Sequence, residues 1–426
     1  MKSSFRWFAP APWRAAAVFL CVTGLLPVRM PADVGLPEKA PAALGFSAAR
    51  LERVPALLRR ETGAGRYAGA VWFVARDGGV VSHGAVGFRD VATRTAMTED
   101  TAFHIFSMTK LITTVTALTL IEEGRIALDD PVERFLPALA KRQVLAGGTA
   151  DAPVLEPAAG PITIRHLLTQ TSGLPYDIFA DGPLRTIWQR ADLWRSPTLG
   201  DFVARVATLP LAHQPGARWT YGVNTDLLGA VIEAVTGQDL ETAMRERVLG
   251  PLGMTHTTFR PDAGLRSRLA TIHHRTPAGT LEPDVAWTQL GSTAFPSGGG
   301  GLVSTLHDYA RFAQMLLDGG ELDGVRILGR KTVELMTSNQ IAHLPPGGPW
   351  TPPGFGFGVR VQPSDAHTAK ALGSPGAFGW DGAVSTYVSM DPKERVLLIV
   401  LLQHAPYNED GIFEKFTDTA YQALEK

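Results

Sequence analysis

The chain has 426 residues, enough to bury a large core, and its length alone suggests two or three domains. Hydrophobic residues make up 45% and charged residues 19%, with a formal net charge of −1. That balance excludes a polybasic surface for nucleic acid or anionic lipid and leaves a small molecule or peptide as the default partner.

Lys2, Arg6 and Arg14 precede an apolar run over residues 15–26, after which Pro27, Pro31 and Pro37 break the chain. This predicts a signal peptide or N-terminal anchor over residues 1–32, with Ala32 before Asp33 the best small-residue cleavage point. The run is shorter than the ~20 residues needed to span a bilayer. Periplasmic or secreted location is therefore expected, with membrane contact only if the segment stays uncleaved. Cys21, the only cysteine, lies inside the run behind Leu20, which is too large for a lipoprotein cleavage site. The mature chain would carry no thiol for a disulfide, a nucleophile or a metal.

A linker over 33–44 leads into a catalytic unit over 45–426. Residues 70–75 and 80–86 are apolar runs around Arg76-Asp77-Gly78-Gly79, a β-hairpin signal. Next comes Phe106-Ser107-Met108-Thr109-Lys110-Leu111, in which a hydroxyl and an amine stand one helical turn apart. Residues three apart share a helix face, so Lys110 can reach the Ser107 oxygen. In the first turn, free N–H groups favour a developing negative charge. Leu111, Val115, Leu118 and Ile121 recur at helical spacing before Gly124, so the pair opens a buried helix. A serine at this place also serves as an ordinary helix cap.

Residues 129–290 read mainly as helices and loops. Helix-like segments cover 164–168, leading into Thr171-Ser172-Gly173-Leu174-Pro175, and 226–235, with Leu227, Leu228, Val231 and Ile232 before Gly237. The Gly, Ala and Pro of 147–161 predict a surface loop. Strand signals return at 355–361, 383–390 and 395–403, and an amphipathic helix follows over 411–424. The pattern predicts an α/β (α+β) fold: one antiparallel sheet assembled from both chain ends (45–128 and 291–426), flanked by helices, with a mostly helical insertion over 129–290. The active site is expected between the two parts.

A serine hydroxyl is a poor nucleophile without a base in reach and donors for the oxyanion. Lys110 is one such partner. Tyr221, in a turn-rich segment just before a helix, can project into a cleft and pass the Ser107 proton to the leaving group. The glycines around Trp380-Asp381-Gly382-Ala383 allow close backbone approach, so the N–H groups of Ser107 and Ala383 can form an oxyanion hole. Trp380, Asp381, Gly382 and Tyr176 are the expected substrate-binding residues. Taken singly, Tyr221 also reads as a core tyrosine and Trp380 as packing at a strand start. Gly-x-Ser-x-Gly is absent, so there is no nucleophile elbow. Residues 298–301 lack the Gly-Lys-Ser/Thr of a phosphate loop and read as a turn beside the cleft, and His273-His274 lack zinc-protease spacing. No metal and no cofactor is expected.

Ser107-Met108-Thr109-Lys110, the run 162–175, the Tyr221 segment, 298–305, Trp380-Asp381-Gly382 and 387–393 occur in an order that resembles the serine β-lactamase-like superfamily, in particular the class C β-lactamase-related esterases (family VIII carboxylesterase-like). The resemblance implies a β-lactamase/transpeptidase-like fold. It also implies an acyl-enzyme on Ser107, with Lys110 and Tyr221 as proton-transfer partners. The implied substrate is a small neutral ester. The alternatives are a β-lactamase or D-amino-acid peptidase or amidase, acyl transfer to an alcohol, and a non-catalytic penicillin-recognising protein. This sequence departs from the pattern in three places. Lys-Thr-Gly is replaced by Trp380-Asp381-Gly382, near the tryptophan-glycine-glycine of the esterase branch. The usual asparagine two residues after the tyrosine is Val223, with Asn224 one position late, which removes a donor for a substrate amide. Gln170 stands where histidine is usual. An Asp381 carboxylate at the rim of the cleft would repel anionic substrates, while Trp380 supplies aromatic contact area.

Overall fold

Seven strands form the central sheet, and both ends of the chain contribute to it. The computed structural model describes residues 35–345, 347, 350–364 and 369–426, so the predicted signal or anchor segment lies outside the described residues. Asp77 and Gly78, at φ 49° and 71°, close the turn between β1 (Gly69–Arg76) and β2 (Gly79–Asp90), as the Asp-Gly pair predicts. β3 (Thr95–Ala96), β4 (Arg360–Val361), β5 (Phe378–Gly382), β6 (Thr386–Asp391) and β7 (Val396–Leu401) complete the sheet. The order is β4-β5-β6-β7-β1-β2-β3, antiparallel throughout. Val71 faces Leu401 and Arg76 faces Val396 across the seam between the two chain ends.

The helices that matter to the site are α1 (Arg53–Gly63), α2 (Thr109–Glu122), α3 (Ile164–Leu168), α4 (Asn224–Thr236), α5 (Val285–Leu290), α6 (Leu306–Leu317) and α7 (Ile412–Tyr421). β7 is apolar at every position because both of its faces are covered. Leu397, Ile399 and Leu401 join Val71 and Phe73 in the inner core with α2 and α6. Val396, Leu398 and Val400 join Trp72 and Val74 in the outer core with α1 and α7. Fully burying one such aliphatic side chain is worth about 1.5–3 kcal/mol. The helical region packs into the same unit as the sheet, which extends over Gly35–Lys426. Among the described residues no helix is long and apolar enough to cross a membrane.

Three local expectations change. Ser107 sits in a separate 3-10 turn, Phe106–Met108, ahead of α2. Part of the predicted loop over 147–161 belongs to a hairpin of Gln143–Gly148 with Pro153–Pro157. Its strands are mostly exposed, so they carry no apolar alternation. Over 355–361 only Arg360–Val361 pairs as a strand, whereas Phe378–Gly382, outside the predicted strands, also forms one. Two glycines and an aspartate had masked its pattern.

Burial also sets an acid limit on the fold. His104, in the short strand Ala102–His104 just before Ser107, is 5% exposed, and desolvation pushes its ring down from 6.5 to about 4. His166, His213, His273 and His404 are lowered by burial as well. Between those two pH values the unfolded chain binds a proton at His104 that the native state refuses, so stability is full above pH 6.5 and falls toward pH 4. The His104 contribution is about 3 kcal/mol. Thermal melts from pH 7.5 to 4.5 should show a falling Tm, with a smaller slope in His104→Gln; a flat profile would contradict this.

Candidate active site

The serine is presented by a strained turn. Phe106 has φ 42°, a left-handed conformation that costs a residue with a Cβ about 1 kcal/mol or more. Packing holds it there: the Phe106 ring meets Trp287 of α5 edge-on at 5.5 Å and packs with Ile272 and Val384. The buried Tyr309 hydroxyl of α6 donates to the Met108 carbonyl at 2.9 Å. Ser107 is half-buried at the surface of this arrangement, while Lys110, one turn on in α2, is 0% exposed.

Lys110 Nζ has three oxygen partners: Ser107 Oγ at 3.1 Å, Tyr176 Oη at 3.0 Å and the Gly299 carbonyl at 2.6 Å. It also lies 4.8 Å from the Tyr221 ring centroid and 5.2 Å from that of Tyr176, within cation–π range. The two rings meet edge-on at 5.3 Å. The Tyr221 hydroxyl takes the indole N–H of Trp380 at 3.0 Å. So the hydroxyl bonded to the lysine belongs to Tyr176, which the sequence reading had placed among substrate-binding residues. Desolvation, with the negative charge of Asp226 second, raises the Tyr176 phenol well above its usual value. It remains a neutral hydroxyl at physiological pH.

Gln170 and Asn224 explain how Tyr221 is held. Gln170 is buried with φ 58°; its side chain accepts from Gly222 N at 3.1 Å and Asn224 Nδ2 at 2.8 Å and donates to Thr225 Oγ1 at 3.1 Å. Its carbonyl accepts from Thr220 N at 2.8 Å. Both neighbours of Tyr221 are thereby tied to the segment after α3. Asn224 is fully buried and also bonded to Ser172, so its amide braces this loop and faces no substrate.

Gly382 ends β5 against the serine turn, where an added Cβ would sit 2.5 Å from the Ile105 carbonyl. This close approach goes with Ala383 packing against the Phe106 cluster, at the turn that carries Ser107. Trp380 lies on the inner face, its ring 5.4 Å from Tyr221 and 5.3 Å from Phe355.

Asp381 behaves otherwise than the sequence reading expects. Successive strand residues point to opposite faces, and Asp381 pairs with Tyr387, a member of the outer core. Its carboxylate accepts from Arg360 Nη1 at 3.1 Å and from the Tyr407 hydroxyl, and its side chain is 7% exposed. The charge is consumed by a structural pair and does not reach the rim. Asp381→Asn should therefore change kcat/KM for carboxylate-bearing and neutral esters by the same factor. It should cost about 1–2 kcal/mol in stability, because the partly exposed Arg360 loses its counter-charge but keeps an acceptor oxygen. Urea unfolding and paired kinetics check both; selective improvement on anionic substrates would contradict the assignment.

Residues 298–301 form a turn under the lysine, with Gly298 O accepting from Thr113 Oγ1 at 2.7 Å and Gly299 O from Lys110. Beneath it, fully buried in α4, is Asp226, whose Oδ1 accepts from Ser297 Oγ at 2.5 Å and Gly299 N at 3.0 Å. Burial raises its carboxyl, while the charge of Lys110 and these two donors pull it back. Asp226 escaped the sequence reading, although a lone acid beside the apolar run Leu227, Leu228, Val231 and Ile232 was a signal.

A half-buried serine bonded to a buried lysine, at the junction of an antiparallel sheet and a helical region, marks an enzyme of the serine-hydrolase type. The chain belongs to the beta-lactamase family, whose model matches residues 54–421. Protein Rv1367c of Mycobacterium tuberculosis is 38% identical over 360 residues, which span 82% of this chain and 89% of that protein. Monacolin J acid methylbutanoyltransferase of Aspergillus terreus is 33% identical over 352 residues, 76% of this chain and 82% of that one. Among solved structures, EstCE1, a hydrolase with promiscuous acyltransferase activity, aligns with a TM-score of 0.74 at 27% identity, covering 89% of this chain and 99% of its own. Esterases and acyltransferases are both among its relatives.

Proposed function

We propose that the protein is a serine esterase that cleaves small neutral esters through an acyl-enzyme on Ser107. The carrying observation is the 3.1 Å contact between Ser107 Oγ and the fully buried Lys110 Nζ. In its amine form, Lys110 gives two N–H groups to Tyr176 and Gly299 and turns its lone pair to the serine hydroxyl. As the Oγ–C bond forms, the Ser107 proton passes to Nζ, and the carbonyl π electrons move onto the oxygen facing the N–H groups of Ser107 and Ala383. When the intermediate collapses, the C–O bond to the alcohol breaks and that oxygen takes the proton back, with the Tyr221 hydroxyl as the relay. Tyr176 stays a neutral hydroxyl and holds the lysine.

Substrate preference follows from the wall of Tyr176, Phe179, Tyr221 and Trp380, whose ring centroids lie 5.3 to 5.6 Å from Tyr221. Such a surface favours an apolar or aromatic ester over a carboxylate-bearing lactam. Because EstCE1 and the methylbutanoyltransferase both transfer acyl groups, an alcohol is a second acceptor for the same intermediate.

Intact-mass spectrometry after incubation with an activated short-chain ester, a cephalosporin and a D-alanyl peptide tests the assignment. The ester should add its acyl mass at Ser107 and lose it on standing in water. Acylation by the cephalosporin or peptide alone would overturn the ester reading.

A further inference from the structure

Asp226 is a carboxylate buried without a conventional salt bridge. Its Oδ1 is satisfied by Ser297 and Gly299, but its Oδ2 has no partner and no access to solvent. Burial opposes a charge there and raises the carboxyl, so an ionised Asp226 has to be offset by its surroundings. The free oxygen lies against Gly299 near Tyr176, since a Cβ placed on Gly299 would run into Asp226 Oδ2 and sit 2.9 Å from Tyr176 Oη, and the charge of Lys110 acts on the carboxyl from beyond contact distance. Gly299 is therefore the backbone link between the carboxylate and the lysine. Its N–H is held by Asp226, and its carbonyl accepts from Lys110 at 2.6 Å.

A loop clamp alone would need only the Oδ1 acceptor, which an asparagine supplies equally well. The second oxygen and the charge call for another role. Resting on the assignment of Ser107 as nucleophile, we propose that Asp226 is a positioning residue whose negative charge stabilises the ammonium formed on Lys110 when Ser107 gives up its proton. The proton moves from Ser107 Oγ to Lys110 Nζ and goes no further down the chain; Asp226 accepts nothing and supplies a fixed counter-charge in a region of low dielectric. A buried aspartate does the same for an imidazolium in Ser-His-Asp enzymes. Gly299 supplies the orientation and Asp226 the field.

Asp226→Asn tests this because it keeps the clamp and removes the charge. Plateau kcat should fall about 10- to 100-fold, with KM changed less than about threefold, since the group acts on the chemical step. Loss of a buried negative charge makes the site hold its proton less tightly, so the acid limb of kcat/KM should move to lower pH by about one unit. Ser297→Ala, which loosens the clamp and keeps the charge, should leave that limb in place. An unchanged pH profile in Asp226→Asn, or an equal shift in Ser297→Ala, overturns the proposal. Should Asp226→Asn fail to melt cooperatively, Asp226→Glu carries the test: it keeps the charge on a longer arm, so a wild-type limb is expected and a displaced one overturns it. Acyl mass on Ser107 is read separately in the wild type. Its absence would remove the nucleophile assignment, whereas its presence together with an unmoved Asp226→Asn profile removes only the role given to Asp226.

Discussion

Ser107→Ala abolishes turnover of a short-chain aryl ester, with kcat reduced by at least about 10⁴-fold and no acyl mass retained by the protein. The size of the effect follows from the geometry. Lys110 gives its remaining two contacts to Tyr176 and Gly299, so no other serine is placed to take over its proton transfer. The variant should fold, since Ser107 is half-buried and its turn is held by Phe106 packing and by the Tyr309 bond to Met108. Steady-state kinetics with intact-mass spectrometry check it, and a Ser107→Ala protein that retains activity and a covalent adduct would refute the mechanism.

Lys110→Met is the second large effect. The apolar arm of similar length fills the same buried space but removes the proton acceptor, and kcat should fall about 10²- to 10⁴-fold. Tyr176 Oη and Gly299 O lose their shared partner, and Asp226 loses the lysine whose charge pulls its carboxyl down. Stability should therefore fall as well, by about 1–3 kcal/mol for the unsatisfied groups. The rate of the acylation burst, measured separately from hydrolysis, distinguishes the two consequences: the burst slows even where the folded fraction is complete. A burst at the wild-type rate would mean that the lysine only fills space.

The sheet and the serine-lysine pair were legible because each is written in local patterns: Asp77-Gly78 at a hairpin turn, an unbroken apolar run in β7, and a three-residue spacing at the head of α2. The partners of the pair were less legible because they depend on contacts between segments distant in the chain. Tyr176 and Tyr221 stand 45 positions apart in the sequence, and only the fold decides which hydroxyl meets Lys110. Gln170 is opaque for the same reason, since its work is to hold the backbone on both sides of Tyr221. Asp381 shows the opposite error. A charge beside a cleft tryptophan reads as a cleft charge, yet the two-residue period of a strand turns it to the other face, where Arg360 awaits it.

The seam between β1 and β7 joins residues 71–76 to residues 396–401, and this has a consequence for how the enzyme is made. Ser107 and Lys110 leave the ribosome early, but the segment carrying Trp380 and Ala383 comes more than 270 residues later. Until it arrives, β1 is paired on the β2 side alone, and the proposed oxyanion site lacks its Ala383 half. A nascent or prematurely terminated chain thus carries Ser107 without Trp380 and Ala383 beside it. Under the proposed mechanism, the site is complete only when synthesis is nearly finished and the last strands close the sheet, so incomplete chains would not acylate themselves on passing esters.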